Sequence, residues 1–146
     1  MFRITILTLY NVDRLIRECH IQSDNKRINQ IIDQLVEMFS TQSNPLHVKN
    51  GGLIGLAGTA IALGVDVSPY IDKFIDPLLA CFSDPENRIR YFSAECLYNI
   101  AKVSKGEILV YFNPIFDALS KVRGSPCSTE YAYLLSLSSL QTQNFP

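Results

Sequence analysis

An all-α solenoid of stacked helical hairpins is the fold class that this sequence predicts, and three observations predict it. Beyond residue 10, apolar residues recur at three- and four-residue intervals, with no convincing strand hairpin among them. Three polar-proline pairs, Asn44-Pro45, Ser68-Pro69 and Asp84-Pro85, interrupt the pattern as helix starts. Proline is tolerated there because the first helical N–H has no intrahelical partner to lose. The apolar set also repeats itself at intervals of about 40 residues, the rhythm of hairpins stacked in series.

The elements follow in order. Val12 to His20 predicts a short helix with Val12, Leu15, Ile16 and Cys19 on one face. Ser23 or Asp24 can cap the next, in which Ile28, Ile31, Ile32, Leu35, Val36 and Phe39 recur. Asn44 as N-cap and Pro45 at the first helical position open a helix that runs to Leu63, where Gly64 supplies the stop. Ser68-Pro69 launches a helix through Phe82, and Asp84-Pro85 launches one ending near Lys105-Gly106. A last helix runs from Glu107 to about Val122.

Overlaying the segments gives the repeat. Ile31, Ile32, Leu35, Val36 and Phe39 fall on Phe74, Ile75, Leu78, Leu79 and Phe82 at a shift of about 43. Those fall on Tyr111, Phe112, Ile115, Phe116 and Leu119 at about 37. The second helices of the hairpins agree: Val48, Lys49, Leu53, Leu56 and Ala60 meet Ile89, Arg90, Ala94, Leu97 and Ala101 at about 41. Such a period belongs to the HEAT and armadillo class, with about three repeats. Pro77 and Pro114 take the same place in this overlay, each expected to kink a first helix. Asp84 and Arg90, in Asp84-Pro-Glu-Asn-Arg-Ile-Arg90, resemble the HEAT turn signature that links neighbouring repeats, with Asn44 and Lys49 as a softer version one repeat earlier.

Composition narrows the function. Apolar residues at 47% and charged residues at 18% describe a globular chain rather than a disordered one. With 13 basic against 14 acidic residues and no basic stripe, nothing invites nucleic acid. Cys19, Cys81, Cys96 and Cys127 form no CxxC, and neither His20 nor His47 has metal-ligand spacing, so no metal or other cofactor is expected. The cysteines read as small core residues in a cytoplasmic protein. Residues 1–10 are apolar but lack the basic start and cleavage site of a secretory signal, and the uncharged run from Asn50 to Val65 is short for a membrane span.

Gly51, Gly52, Gly55 and Gly58 invite a phosphate-binding reading but fit neither GxGxxG nor GK[ST]. On a helix, Gly51, Gly55, Gly58 and Ala62 fall within roughly 60° of one another, a flat strip for close packing between repeats. Leu53, Leu56, Ala57, Ala60 and Ile61 cover the rest, which predicts a helix buried on nearly all sides. Arg88, Tyr91, Glu95, Tyr98 and Lys102 make a polar stripe opposite Ile89, Phe92, Cys96, Ile100 and Val103. It reads either as a solvated face or as a protein-docking ridge, since tyrosine and arginine dominate interface hot spots. Asp72 and Asp76 share a helical face beside Lys73 and Pro77 and read as surface, and no nucleophile, base and partner can be assembled. The chain is expected not to be an enzyme.

His47-Val-Lys-Asn-Gly-Gly-Leu-Ile-Gly-Leu-Ala57, Ile75-Asp-Pro-Leu-Leu-Ala-Cys-Phe-Ser-Asp84 and Glu95-Cys-Leu-Tyr-Asn-Ile-Ala-Lys-Val103 resemble a particular family. It is the vacuole-morphology HEAT scaffolds of the PIKfyve (Fab-one) lipid kinase complex. The likeness covers about residues 11–122; residues 1–10 form a leader outside it, and residues 123–146 a divergent tail that reads as a truncated isoform. The resemblance implies a non-enzymatic scaffold for a phosphatidylinositol 3-phosphate 5-kinase, controlling phosphatidylinositol 3,5-bisphosphate. It implies peripheral placement on endosomal or vacuolar membranes, and contact with a Sac-type phosphatase through the family's C-terminal part. A generic HEAT adaptor and a direct lipid binder remain alternatives, although Lys102, Lys105, Lys121 and Arg123 are dispersed rather than clustered.

Overall fold

A computed structural model describes the backbone of residues 2–121 and the side chains of residues 11–121. All regular structure among the described residues is helical: α1 (Phe2–Ile21), α2 (Asn25–Ser40), α3 (Leu46–Leu63), α4 (Ile71–Ala80), α5 (Asn87–Ser104) and α6 (Phe112–Lys121), with 3₁₀ segments at Gly64–Tyr70, Cys81–Ser83 and Lys105–Tyr111. The helices form two layers. α3 lies between α1 and α5 in one layer, while α4 joins α2 to α6 in the other. Each α2/α3 and α4/α5 pair is a hairpin, so the chain is an all-α, HEAT-like solenoid.

The repeat is more regular than the sequence overlay. α3 and α5 begin and end 41 residues apart, at Leu46 and Asn87, and at Leu63 and Ser104. The same interval relates Gly64–Tyr70 to Lys105–Tyr111 and α4 to α6. The predicted register of α6 is therefore corrected by one turn: Phe74 corresponds to Ile115, both buried, and not to Tyr111. Pro77 and Pro114 are not equivalent either. Pro77 lies inside α4, whereas Pro114 is in the first turn of α6, where the missing N–H costs nothing.

Several predicted boundaries also move, each for a local reason. The helix expected from Val12 begins at Phe2. Asp24 caps α2 as expected, its carboxylate accepting from the Arg27 N–H at 3.1 Å. Asn44 does not cap α3: its Nδ2 donates to the carbonyls of Glu37 (3.2 Å) and Met38 (2.9 Å), closing the open end of α2, and Pro45 occupies the cap position. Ser68 donates its hydroxyl back to Val65 O, and its segment is a 3₁₀ turn before α4 begins at Ile71. The three-residue period of that turn puts Val67 and Tyr70 on the core side together; Ile108 and Tyr111 repeat the device. The last helix therefore starts at Phe112 rather than Glu107.

One core runs through both layers, built from Ile16, Ile28, Ile32, Leu53, Leu56, Phe74, Leu78, Leu97 and Ile100, all essentially inaccessible to water. Burial of this kind contributes about 1.5–3 kcal/mol per large side chain against exposure. Gly64 ends α3 with φ +59° and ψ −129°. Its counterpart at the end of α5 is Lys105, with φ +52° and ψ −127°. That backbone region suits glycine and strains any residue with a Cβ. Nothing lies within 4 Å of a Cβ added at Gly64, so the effect there is one of backbone alone. Lys105→Gly is expected to raise stability by about 1 kcal/mol and Gly64→Ala to lower it by a similar amount, as checked by thermal melts of the three chains.

Candidate functional site

The polar stripe Arg88, Tyr91, Glu95, Tyr98 and Lys102 follows one line along α5. Arg88 and Lys102 are exposed, while Tyr91, Glu95 and Tyr98 are half-buried. Ile89, Cys96 and Ile100 on the opposite side are in the core. The Tyr91 ring meets Phe92 edge-on, with centroids 5.4 Å apart, which orients it on the surface.

The same line exists one repeat earlier. His47, Asn50, Ile54, Ala57 and Ile61 stand 41 residues before the α5 residues and show the same sequence of burial, exposed at both ends and half-buried between. This corrects the expectation that α3 is covered on nearly all sides: α1, α2 and α5 cover three, and Ile61 on the fourth is 47% exposed. On this outer surface, an apolar strip of α3 runs beside the tyrosine ridge of α5.

The glycines lie elsewhere. A Cβ on Gly52 would come within 2.8 Å of both Leu35 O and Met38 Cβ, and one on Gly55 within 2.6 Å of Leu35 Cδ2. Gly51 has more room, with Met38 Cε at 3.4 Å. At these three positions the close approach is therefore to α2, within a hairpin and not between repeats, and Gly52, absent from the predicted strip, is where α3 meets the α2 backbone. Gly58 is buried in α3.

Of the predicted pair Asp84 and Arg90, Asp84 makes a contact that crosses between repeats. Lys49 Nζ of one hairpin reaches Asp84 Oδ2 of the next at 3.6 Å, and both side chains are only 11% exposed. The second Asp84 oxygen accepts from the Glu86 N–H at 2.9 Å and orders the turn. Arg90 donates to Asp84 O (2.7 Å), Pro85 O (3.0 Å) and Asn87 Oδ1, pinning the start of α5 to that turn.

A second clasp was not read from the sequence. Tyr70 and Tyr111, the last residues of equivalent 3₁₀ segments, each reach back to the preceding hairpin. Tyr70 Oη donates to Asn25 Oδ1 at 3.2 Å, and Tyr111 Oη to Asp72 Oδ1 at 2.5 Å. Lys73 and Asp33 add an ion pair at 2.9 Å between α4 and α2. The signal for the tyrosines was present in the 41-residue interval but masked by the one-turn register error. The hydrogen bond to Asp72, then partial burial and the carboxylate charge, push the Tyr111 phenol up to about 12. Its contribution to stability is therefore full below pH 10 and lost as pH rises through about 12. Tyr70 is raised as well, by burial first, so absorbance titration should show late phenolate formation whose last step Tyr111→Phe removes.

Three cysteines, Cys19, Cys81 and Cys96, are buried free thiols; Cys127 lies outside the described residues. Burial pushes the Cys81 thiol up to about 11 and raises Cys96 as well, which disfavours the reactive thiolate. Among the described residues, no group of three His, Cys, Asp or Glu side chains is placed to hold a metal ion. By length and composition Leu46–Ser83 is apolar enough to cross a bilayer, but half of its apolar window is buried inside the fold. The positive φ at Gly64 also breaks it into two separate helices.

With this geometry in place, similarity to known proteins is informative. Residues 47–129 match a family model described as the Vacuolar 14 Fab1-binding region. The chain is 46% identical over 112 residues to Vacuole morphology and inheritance protein 14 of Saccharomyces cerevisiae, a match covering 76% of this chain and 13% of the relative. The chain belongs to the VAC14 family. Other VAC14 relatives agree: the Schizosaccharomyces pombe homolog is 40% identical over 117 residues, and the Arabidopsis thaliana homolog 36% over 111. These matches take in 79% and 76% of this chain, but only 14% and 15% of those relatives, so the chain spans about one-seventh of their length. No solved structure matches it. The VAC14 match from residue 47 onward contains both outer stripes, the Asp84 link and the Tyr111 clasp.

Proposed function

We propose that this VAC14-family chain is the kinase-binding arm of a non-enzymatic scaffold. It holds a phosphatidylinositol 3-phosphate 5-kinase of the Fab1 type and supports phosphatidylinositol 3,5-bisphosphate synthesis. It does so peripherally on endosomal or vacuolar membranes, reaching them through the complex rather than by its own insertion. The observation that carries this reading is the match of residues 47–129 to the Fab1-binding region, because that span takes in α3 from His47 and continues through α6. A scaffold also suits the chemistry: the ion pairs and clasps that cross between hairpins join one repeat to the next, which is what a rigid docking arm requires.

Purified 146-residue chain mixed with purified Fab1-type lipid kinase should give a complex that co-elutes on gel filtration, and should stay unbound when floated with vesicles containing phosphatidylinositol 3-phosphate. Failure of the kinase to co-elute would overturn the reading; flotation of the chain alone would place the lipid contact on the chain itself.

A further inference from the structure

We infer that residues 128–145 of this same chain cover the open face of α6, in the place that α3 and α5 hold in the first two hairpins. The inference concerns the end of the stack and is independent of the kinase-binding reading.

The face itself is the first support. Ile115 of α6 is buried in the core, with Ala118 and Leu119 packed against it. Phe112 and Phe116 of the same helix are 42% and 63% exposed, and their rings stack on each other with centroids 6.0 Å apart. Leu109 and Val110 extend this apolar patch from the preceding 3₁₀ segment. The residues 41 positions before the two phenylalanines, Ile71 and Ile75, are only 0% and 3% exposed. α2 and α4 each have a following helix that completes a hairpin, and α6 has none among the described residues. Stacked repeats bury their apolar faces on their neighbours, so an end of this kind marks a surface that something covers.

The second support is the repeat interval, which names the occupant. Carried past α6, it enters residues 122–146, which lie outside the described residues and are read by their sequence alone. Ser125-Pro126 stands 41 residues after Asp84-Pro85, the pair that precedes α5, and repeats its polar-proline start signal. The same step carries the bounds of α5, Asn87 and Ser104, to Ser128 and Phe145. Gly52, Leu53, Gly55 and Leu63 of α3 are buried, as are the α5 residues 41 positions on. One further step reaches Leu134, Leu135, Leu137 and Phe145, all large and apolar. Ser138, Gln141 and Thr142 fall where α5 buries Leu97, Ile100 and Ala101, so the apolar contact is concentrated before residue 138 and at Phe145.

The third support is the opposite side of the same segment. A terminal repeat has to combine an apolar inner face with a polar outer one. The outer stripe of α5, from Arg88 to Lys102, steps to Thr129, Ala132, Ser136, Ser139 and Gln143. No large apolar residue is among them, so the apolar and polar positions of the segment separate in the phase that the fold requires of a cap.

The test is hydrogen–deuterium exchange of the full chain, joined to sedimentation at several concentrations. The expected result is a monomer at every concentration, with the amides of 134–145 and of α6 protected together. Leu134→Asp/Leu137→Asp should speed exchange in α6 at least tenfold while α2 and α3 keep their rates. Phe112→Ser/Phe116→Ser, made on exposed side chains, should release 134–145 to the same degree and leave the rest of the fold intact. Ser136→Asp/Ser139→Asp, on the outward stripe, should change neither. Unprotected amides throughout 134–145 in the wild-type monomer would overturn the inference, as would α6 protection that survives the leucine variant. Protection of α6 that appears only as a dimer forms would make a second copy the cover, and protection only with Fab1-type kinase would make the kinase the cover; either would overturn it too.

Discussion

Gly52→Ala is expected to lower the stability of the fold by about 2 kcal/mol, against the usual direction of a helical glycine-to-alanine change. In an exposed helix that change gains about 1 kcal/mol. Here the new methyl would come within 2.8 Å of the Leu35 carbonyl oxygen, a backbone atom that cannot rotate aside, and of Met38 Cβ at the same distance. The overlap forces α2 and α3 apart along their contact, and overpacking of this kind costs about 1–3 kcal/mol or more. Two neighbouring glycines supply the control. At Gly55 the obstruction is Leu35 Cδ2, the far end of a side chain that can turn away, so Gly55→Ala should be close to neutral. At Gly51 the nearest atom is Met38 Cε at 3.4 Å, so Gly51→Ala should be stabilising by about 0.5 kcal/mol. Melting temperatures should rank Gly51→Ala above the wild type and Gly52→Ala about 8 °C below it. A Gly52→Ala chain as stable as wild type would show that the two helices are not in such close contact.

Asp84→Ala should be the most damaging change at the junction between hairpins, at about 3 kcal/mol. It removes the partner of Lys49, whose side chain is only 11% exposed, and it frees the Glu86 N–H. Removing one member of a largely buried ion pair costs about 3–5 kcal/mol because the other charge is left without compensation; the remaining access to water puts this pair at the lower end. Adding Lys49→Met to Asp84→Ala should recover more than half of the loss, since the stranded charge is then gone. Chemical denaturation of the four chains of this cycle measures the coupling directly. Independent, additive effects would show that Lys49 and Asp84 do not act as a pair.

Much of this architecture was legible in the sequence. The overlay of Ile32, Leu35 and Phe39 on Ile75, Leu78 and Phe82 identified residues that are buried in both hairpins. Asp24 began a helix and Gly64 ended one where their chemistry said they would. The 3₁₀ segments were not legible because Ser68-Pro69 also reads as a helix start, and only the burial of Val67 with Tyr70 reveals a three-residue period. Lys105 carries no sign of its positive φ, since its neighbour Gly106 draws attention to itself. Tyr111-Phe112 imitates Phe74-Ile75 in residue type, and that likeness shifted α6 by one turn.

The candidate surface was half legible. The tyrosine ridge of α5 could be read because polar and apolar residues alternate around that helix with a clear phase. α3 is apolar all round, so its pattern has no phase, and nothing in the sequence says which face is left uncovered. Gly52 was left out of the strip for the same reason, as the spacing of Gly51, Gly55 and Gly58 drew it one residue away from the contact with the α2 backbone.

Hydrogen–deuterium exchange of the full chain, alone and saturated with Fab1-type lipid kinase, tests the central claim most directly. Binding through the outer surface should slow exchange in α3 from Asn50 to Ile61 and in α5 from Arg88 to Lys102, leaving α2 and α4 unchanged. Protection confined to α2 and α4, or none anywhere, would contradict it.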